Sequence, residues 1–276
     1  RMSNNGGWCS GVRLNAVVAA EQLLKAYEHF NEGKGSVLSH HEIVEMDASV
    51  MHGRERQAGS VAGLRHIRNP VSLARDVLRD SDHVMLIGEG AEQFAFERGH
   101  FFTEQDYFLT ERRYQQLLSM REKGLYALSE SKYPDDNKYG TVGAVALDKH
   151  GNLAAATSTG GITNKKYGRV GDSAVIGAGT FAQNDNVAIS TTGMGEFFIR
   201  QSVAVDVAAR MRYLQEDLAT ACNTVIDGEL KTMGGEGGLI GINSQGDIHF
   251  AMNSSGMYRA GIDKYGTLSV KIYADE

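Results

Sequence analysis

Proline and cysteine are both scarce, with 2 of each in 276 residues. Cys9 and Cys222 are too few for a disulfide framework, and no CxxC pair or Cys/His spacing suggests zinc. Such sparing use fits a reducing, cytoplasmic setting. No apolar run approaches the roughly 18 residues that span a bilayer, so no membrane partner is expected. Positive charge is in deficit as well: 28 Lys and Arg against 34 Asp and Glu leave a net charge of −6. That balance holds no attraction for nucleic acid or an anionic membrane. Nucleotide-binding signatures are missing too, since no GxGxxG follows a strand and no GxxxxGKS or GxxxxGKT occurs. No signal peptide precedes the first helix, and residues 1–11 read as a severed end.

Glycine, by contrast, is abundant at 33 residues. It gathers after Thr141 in clusters: Gly160-Gly161, Gly193-Met194-Gly195 and residues 234–238. Such clusters permit positive φ and close backbone approach. They serve equally as turns between short strands.

Apolar spacing predicts helices over residues 12–29, 71–79 (with Pro70 at the first turn), 90–98, 107–123, 196–213 and 218–230. Alternation and β-branched runs predict strands over 44–51, 59–64, 83–87, 141–147, 152–157, 187–192, 238–242, 248–252 and 268–273. Strand pairs joined by tight turns argue for antiparallel sheets with helices outside, an α+β class. Residues 129–139 break the pattern: charged, without apolar period, they have the composition of a linker.

That linker stops at Gly140-Thr141, where a strand of small and β-branched residues begins. The plain alternative is a loop meeting a strand. The chemical reading is a self-cleavage site, in which the Thr141 hydroxyl attacks the Gly140 carbonyl, the acyl group shifts onto oxygen, and water hydrolyses the ester. Cleavage would leave Thr141 with a free α-amine beside its own hydroxyl, nucleophile and base in one residue. An α-amine titrates at about 7.7–8, so it accepts a proton readily near neutral pH. Further on, Arg169 and Asp172 lie three residues apart in a glycine-flanked turn. They offer a guanidinium for a carboxylate and a carboxylate for an ammonium, together a clamp for an amino-acid head. A surface ion pair is the bland reading of the same two residues. At residues 192–196 a strand meets a helix, where backbone N–H groups and the Thr192 hydroxyl suit an oxyanion, or merely cap a helix.

Residues 140–148 (GTVGAVALD), 157–173 (TSTGGITNKKYGRVGDS) and 190–196 (STTGMGE), in this order and spacing, resemble the plant-type L-asparaginases, also called isoaspartyl peptidases. Residues 30–37, 45–51, 59–64, 68–70, 234–242 and 253–259 extend the resemblance over nearly the whole chain. The resemblance implies the four-layer αββα sandwich of N-terminal nucleophile hydrolases. It implies an autoprocessing enzyme that hydrolyses isoaspartyl dipeptides and L-asparagine, with no catalytic cofactor. Residues 1–140 would form an alpha portion and 141–276 a beta portion of one folding domain, and two such units would pair into a heterotetramer.

Residue by residue, the resemblance makes Thr141 the nucleophile and Thr159 the threonine that tunes it. Thr192 and Gly193 become the oxyanion pair, and Asn31 an asparagine near that oxyanion. Arg169 and Asp172 would hold the substrate's α-carboxylate and α-amine, with Val170, Gly171, Met194 and Gly195 lining the same pocket. A structural sodium is implied on the backbone carbonyls of Leu24, Lys25, Tyr27, Phe30, Glu32 and Lys34. The family's opening strand and His-Gly-Gly-Ala-Gly segment have no counterpart, Asn5-Gly6-Gly7 being a poor stand-in, so a missing central strand with unpaired edges is expected. Two alternatives stand beside this reading. One is a glycosylasparaginase-like amidohydrolase, against which Gly140 and Val142-Gly143-Ala144 speak. The other is an unprocessed homologue serving as a binding or assembly module.

Overall fold

A computed structural model describes residues 17–18, 30–124 and 140–274. The expected helix 12–29 and linker 129–139 therefore lie outside the described residues, apart from Val17 and Val18, which are helical and buried.

Strands β1 (Met46–His52) and β2 (Gln57–Leu64) form an antiparallel hairpin. Helix α1 (Pro70–Asp80) begins at the expected proline and buries Val71, Leu73, Ala74 and Val77. It carries the chain over to β3 (Met85–Ile87), which pairs parallel to β2, an exception to the antiparallel expectation. Helices α2 (Gly88–Glu97) and α3 (Glu111–Glu122) follow. The latter starts four residues later than its apolar spacing suggests, because Thr110 caps it by accepting from Arg113 N.

After Gly140 come β4 (Val142–Leu147) and β5 (Leu153–Thr159). The first sheet runs β3-β2-β1-β5-β4, so β5 closes directly on β1 from the other side of the linker. The second sheet runs β6-β7-β8-β9, from β6 (Thr180–Ala182), β7 (Val187–Gly193), β8 (Gly237–Asn243) and β9 (Ile248–Met252), all antiparallel. A separate hairpin pairs β10 (Gly256–Ile262) with β11 (Leu268–Tyr273). Strands β6 and β10 escape sequence reading, the first for its three residues, the second because glycines at 256 and 261 interrupt its pattern.

The expected helix 196–213 is two helices, α4 (Gly195–Gln201) and α5 (Val203–Ala209), broken at Ser202 with φ of 53°. The break lets the first turn of α5 dock elsewhere: Ala204 N donates to Ala178 O at 3.2 Å and Val205 N to Gly177 O at 2.8 Å. Those orphan donors find loop carbonyls instead of a preceding helical turn. A π-helical stretch, Arg210–Leu214, follows. The expected helix 218–230 likewise begins as α6 (Leu218–Asn223) and continues in π geometry over Thr224–Leu230.

Strand alternation sorts the apolar residues into two cores. On β1 and β5, Met46, Ala48, Val50, Ala154 and Ala156 join one cluster with Val71, Leu73 and Val77 of α1. Met51, Leu153 and Ala155 point the other way, into a cluster with Ile189, Leu239, and Val203 and Val207 of α5. Burial of β5 on both faces explains why LAAATST lacks any polar alternation.

Candidate active site

The β1, β5 and β4 side chains that face the second sheet lie in rows fixed by register. Asp47 stands opposite Thr159, Ser49 opposite Thr157, and Met51 opposite Ala155. On the far side of β5, Gly143 stands opposite Thr157 and Val145 opposite Ala155. Continuing that register one pleat brings Thr141 to Thr159, and the Thr141 Oγ1 donates to Thr159 Oγ1 at 3.1 Å. The rows pass from apolar to hydroxyl to the two threonines, so Thr141 sits where the packed interior opens.

Gly140, the residue before Thr141, is held by Asn31. Asn31 N donates to Gly140 O at 2.8 Å, and Gly160 N donates to Asn31 O at 2.8 Å. The Asn31 side chain donates through Nδ2 to Gly161 O at 2.5 Å and accepts from Val37 N at 2.9 Å. Gly161 N in turn donates to Thr159 Oγ1 at 3.0 Å. Asn31 thus joins the expected cleavage site to the Thr159 loop. A Cβ at Gly140 would meet Asn31 Cβ at 2.5 Å, so this approach requires glycine.

Arg169 and Asp172 lie beside that loop. A Cβ at Gly161 would lie 3.6 Å from Arg169 Nη1, and one at Gly195 would lie 2.8 Å from Asp172 Oδ1 and 2.9 Å from Arg169 Nη2. Gly195 is therefore the floor on which the two expected clamp groups meet. Glu196, beside it, takes Arg169 from behind, Nε to Oε1 at 2.7 Å and Nη2 to Oε2 at 2.8 Å. Burial works against charge on Glu196, but the Arg169 bond and charge override it and hold its carboxyl below the usual range. The Nη1–Nη2 edge of Arg169 stays turned toward Gly161 and Gly171. Asp172 is buried and accepts from Thr191 Oγ1 at 2.6 Å. Burial pushes its carboxyl up to about 6, against the opposing pull of Thr191 and Arg169.

Thr192 is the penultimate residue of β7, and its hydroxyl oxygen is buried with no hydrogen-bond partner among the described residues. Buried hydroxyls are rarely left so, and this one fits an acceptor oxygen of a ligand. Gly193 follows with φ of 151°. The Met194 amide is already bonded, to Glu236 O at 2.9 Å, which removes it from any oxyanion site. Val170 and Met194 are half-buried, and Gly171 N reaches Asp47 Oδ2 at 3.4 Å.

Sequence reasoning missed Asp47, Lys165, Thr191 and the role of Glu196. Lys165 is buried and donates to Glu45 O at 2.7 Å and Gly160 O at 3.0 Å. Asp47, also buried, accepts from Gly63 N at 2.9 Å. Burial raises the Asp47 carboxyl and lowers the Lys165 ammonium, each offset in part by the other's charge. The KK dipeptide at 165–166 gave no sign that one lysine turns inward.

Of the six residues expected to hold sodium, Leu24, Lys25 and Tyr27 lie outside the described residues. Phe30, Glu32 and Lys34 lie within them, and Glu32 O accepts from Gly35 N at 3.0 Å. Among the described residues no group of three or more His, Cys, Asp or Glu forms a metal site, and no helix is long and apolar enough to cross a membrane. Cys222 is buried, which pushes its thiol up to about 12 and makes it a poor nucleophile. A surface cleft of about 820 Å³, bordered by Met211, Glu216, Asp217 and His249, contains none of the expected site residues.

Known proteins bear on this geometry. The family described as Asparaginase matches residues 9–272. An isoaspartyl peptidase of Escherichia coli (strain K12) is 52% identical over 249 residues, 90% of this chain and 78% of its own. This chain belongs to the plant-type L-asparaginase and isoaspartyl peptidase family. An isoaspartyl peptidase/L-asparaginase of Rattus norvegicus is 42% identical, covering 92% of this chain and 77% of its own. A plant-type L-asparaginase of Thermococcus kodakarensis is 41% identical, covering 91% and 84%. The resemblance read from the motifs is thereby borne out.

Proposed function

We propose that this member of the asparaginase family is an autoprocessing hydrolase. It cleaves β-aspartyl dipeptides and the side-chain amide of L-asparagine, releasing L-aspartate. The observation that carries the reading is Thr141, its hydroxyl bonded to Thr159 at 3.1 Å. The carbonyl of Gly140 before it is held by Asn31 N at 2.8 Å. In processing, the Thr141 hydroxyl adds to the Gly140 carbonyl carbon, the C–N bond breaks to leave an ester, and water hydrolyses it.

The freed α-amine then takes the hydroxyl proton as Thr141 attacks a side-chain amide. A β-aspartyl unit keeps its α-amine and α-carboxylate, so Asp172 and the open edge of Arg169 grip both. The Thr192 hydroxyl and Gly193 N–H face the developing oxyanion. The departing amine takes a proton, and water releases aspartate from the ester. Because β5 pairs with β1, the two portions 1–140 and 141–276 stay together as one folding domain after the cut.

The same reading includes the αββα layering, supported by α1 against one sheet, α5 against the other and two cores between. It includes pairing of two such units, a cytoplasmic setting, and a sodium ion on carbonyls around Phe30, Glu32 and Lys34, hard oxygen donors suited to a hard cation. The test is selectivity. An α-linked Asp-Leu peptide has spent its α-carboxylate in the bond, so Arg169 is left unpaired, a loss that discriminates by roughly 10⁴ or more. Processed protein should cleave β-Asp-Leu and leave α-Asp-Leu intact; comparable rates on the two would refute the clamp.

A further inference from the structure

One row inward from the threonines, four buried hydroxyls tie the two sheets together. Ser49 Oγ lies 2.7 Å from Thr180 Oγ1, and Thr180 Oγ1 lies 2.5 Å from Thr157 Oγ1. Thr157 Oγ1 also meets Ser190 Oγ at 2.7 Å and Gly179 O at 3.0 Å. Ser49 and Thr157 belong to the first sheet, Thr180 and Ser190 to the second, and all four are buried. With Thr180 and Ser190 donating, Thr157 donates to Gly179 O and its single hydroxyl is saturated. Ser49 shares its one proton between Thr180 Oγ1 and Ser173 O, the latter 2.6 Å away.

The place of this cluster matters more than its strength. Thr157 is two residues before Thr159 on β5, Ser190 two before Thr192 on β7, and Gly143 two after Thr141 on β4. A two-residue step keeps the same face and advances about 6.6 Å along the strand. Each of the three site threonines is thus one pleat from a residue at the sheet-to-sheet contact. Gly143 completes that contact, since a Cβ there would lie 2.1 Å from Ser190 Oγ.

We infer that Thr157 and Ser190 are positioning residues. By fixing one sheet's register on the other, they set Thr141 and Thr159 against Thr192. This inference rests on the hydrolytic reading of the site above. Arg169 stands outside β4, β5 and β7 and is held by Glu196 of α4, so its grip on the substrate does not depend on this contact, whereas Asp172 is tied to β7 through Thr191 Oγ1 at 2.6 Å. Apolar packing alone sets no sharp register, because it is non-directional, whereas a saturated hydroxyl admits one geometry.

Thr157→Val keeps the shape and removes the hydroxyl; Thr157→Ser keeps the hydroxyl. With β-Asp-Leu, Thr157→Val should lose about 10²-fold in kcat, the scale of a 1 Å misplacement, with a much smaller change in KM because Arg169 keeps its own support. Thr157→Ser should restore most of that loss. Should Thr157→Val fail to fold, Ser190→Ala, which removes one bond of the hub, carries the same split between kcat and KM. A variant that folds, melts at a lower temperature and keeps its kcat would overturn the inference, because the cluster would then serve stability alone. A crystal structure of the variant separates this from the assignment of activity. Thr192 shifted relative to Thr159 supports positioning even if the unsubstituted protein hydrolyses nothing, and unmoved threonines refute it.

Discussion

Glu196 holds Arg169 along the Nε–Nη2 edge of its guanidinium with both carboxylate oxygens, at 2.7 and 2.8 Å. A fork gripped on one edge can present the other at a set angle, which a free arginine on a glycine-rich loop cannot.

Glu196→Gln should therefore act through binding. Losing the charged partner should raise KM for L-asparagine by about tenfold, near the 1.5–3 kcal/mol of a bond to a charged group, with kcat little changed. Arg169→Ala should lose more, about 2–5 kcal/mol in kcat/KM, since a substrate carboxylate is left unpaired. Steady-state kinetics on both variants check the order, and equal losses would argue that Glu196 contributes nothing to orientation.

Asp172 predicts a pH dependence. Its ordinary value of 3.8 is pushed up to about 6 by burial. Below both values the carboxyl is neutral, folded or unfolded; above both it is ionised, and the folded chain carries the cost of a buried charge. Its contribution to stability is thus lost as pH rises from about 4 through 6, by about 3 kcal/mol in all. Denaturant unfolding of the protein and of Asp172→Asn across this window should diverge by that order, with the variant gaining relative to its parent. Conversely, an ammonium needs the ionised form, so KM for L-asparagine should fall as pH rises through about 6. A KM flat across the window would remove Asp172 from the clamp.

Gly195→Ala places a methyl 2.8 Å from Asp172 Oδ1 and 2.9 Å from Arg169 Nη2. Overpacking of this kind costs roughly 1–3 kcal/mol, and here it falls on the two groups that grip substrate. The variant should still cut between Gly140 and Thr141, as a denaturing gel would display, while its KM rises steeply. Loss of processing with normal KM would place Gly195 elsewhere in the mechanism.

Thr141→Ala should stay one chain and hydrolyse nothing, since the attacking oxygen is gone. Mass spectrometry of the unsubstituted protein should find a fragment beginning at Thr141. Efficient cleavage of the alanine variant would mean that another group makes the cut.

Much of this was legible along the chain. The scarcity of cysteine and of basic charge, the change of composition at Gly140-Thr141, and the motifs around Thr159, Arg169 and Thr192 are local patterns. Strands with apolar alternation and the proline at the start of α1 are local too, because period and turn chemistry depend on neighbours in sequence. What depends on distant partners was not legible. The break at Ser202 exists because loop carbonyls at 177 and 178 accept from the next helix. Lys165 turns inward because Glu45 and Gly160 carbonyls meet it there. Nothing near Glu196 in sequence says that its carboxylate faces Arg169, 27 residues away.

By itself the sequence determined the family and which threonine stands between a polar stretch and a strand. Those facts are written in order and spacing, which folding does not alter. Only the tertiary structure decided that Thr141, Thr159 and Thr192 share one end of two facing sheets. That depends on register across Gly143–Thr157 and on the bond from Thr157 to Ser190, contacts between residues far apart in the chain. Side-chain alternation says which face a residue takes, but it carries no information on which strand, or which sheet, will stand opposite.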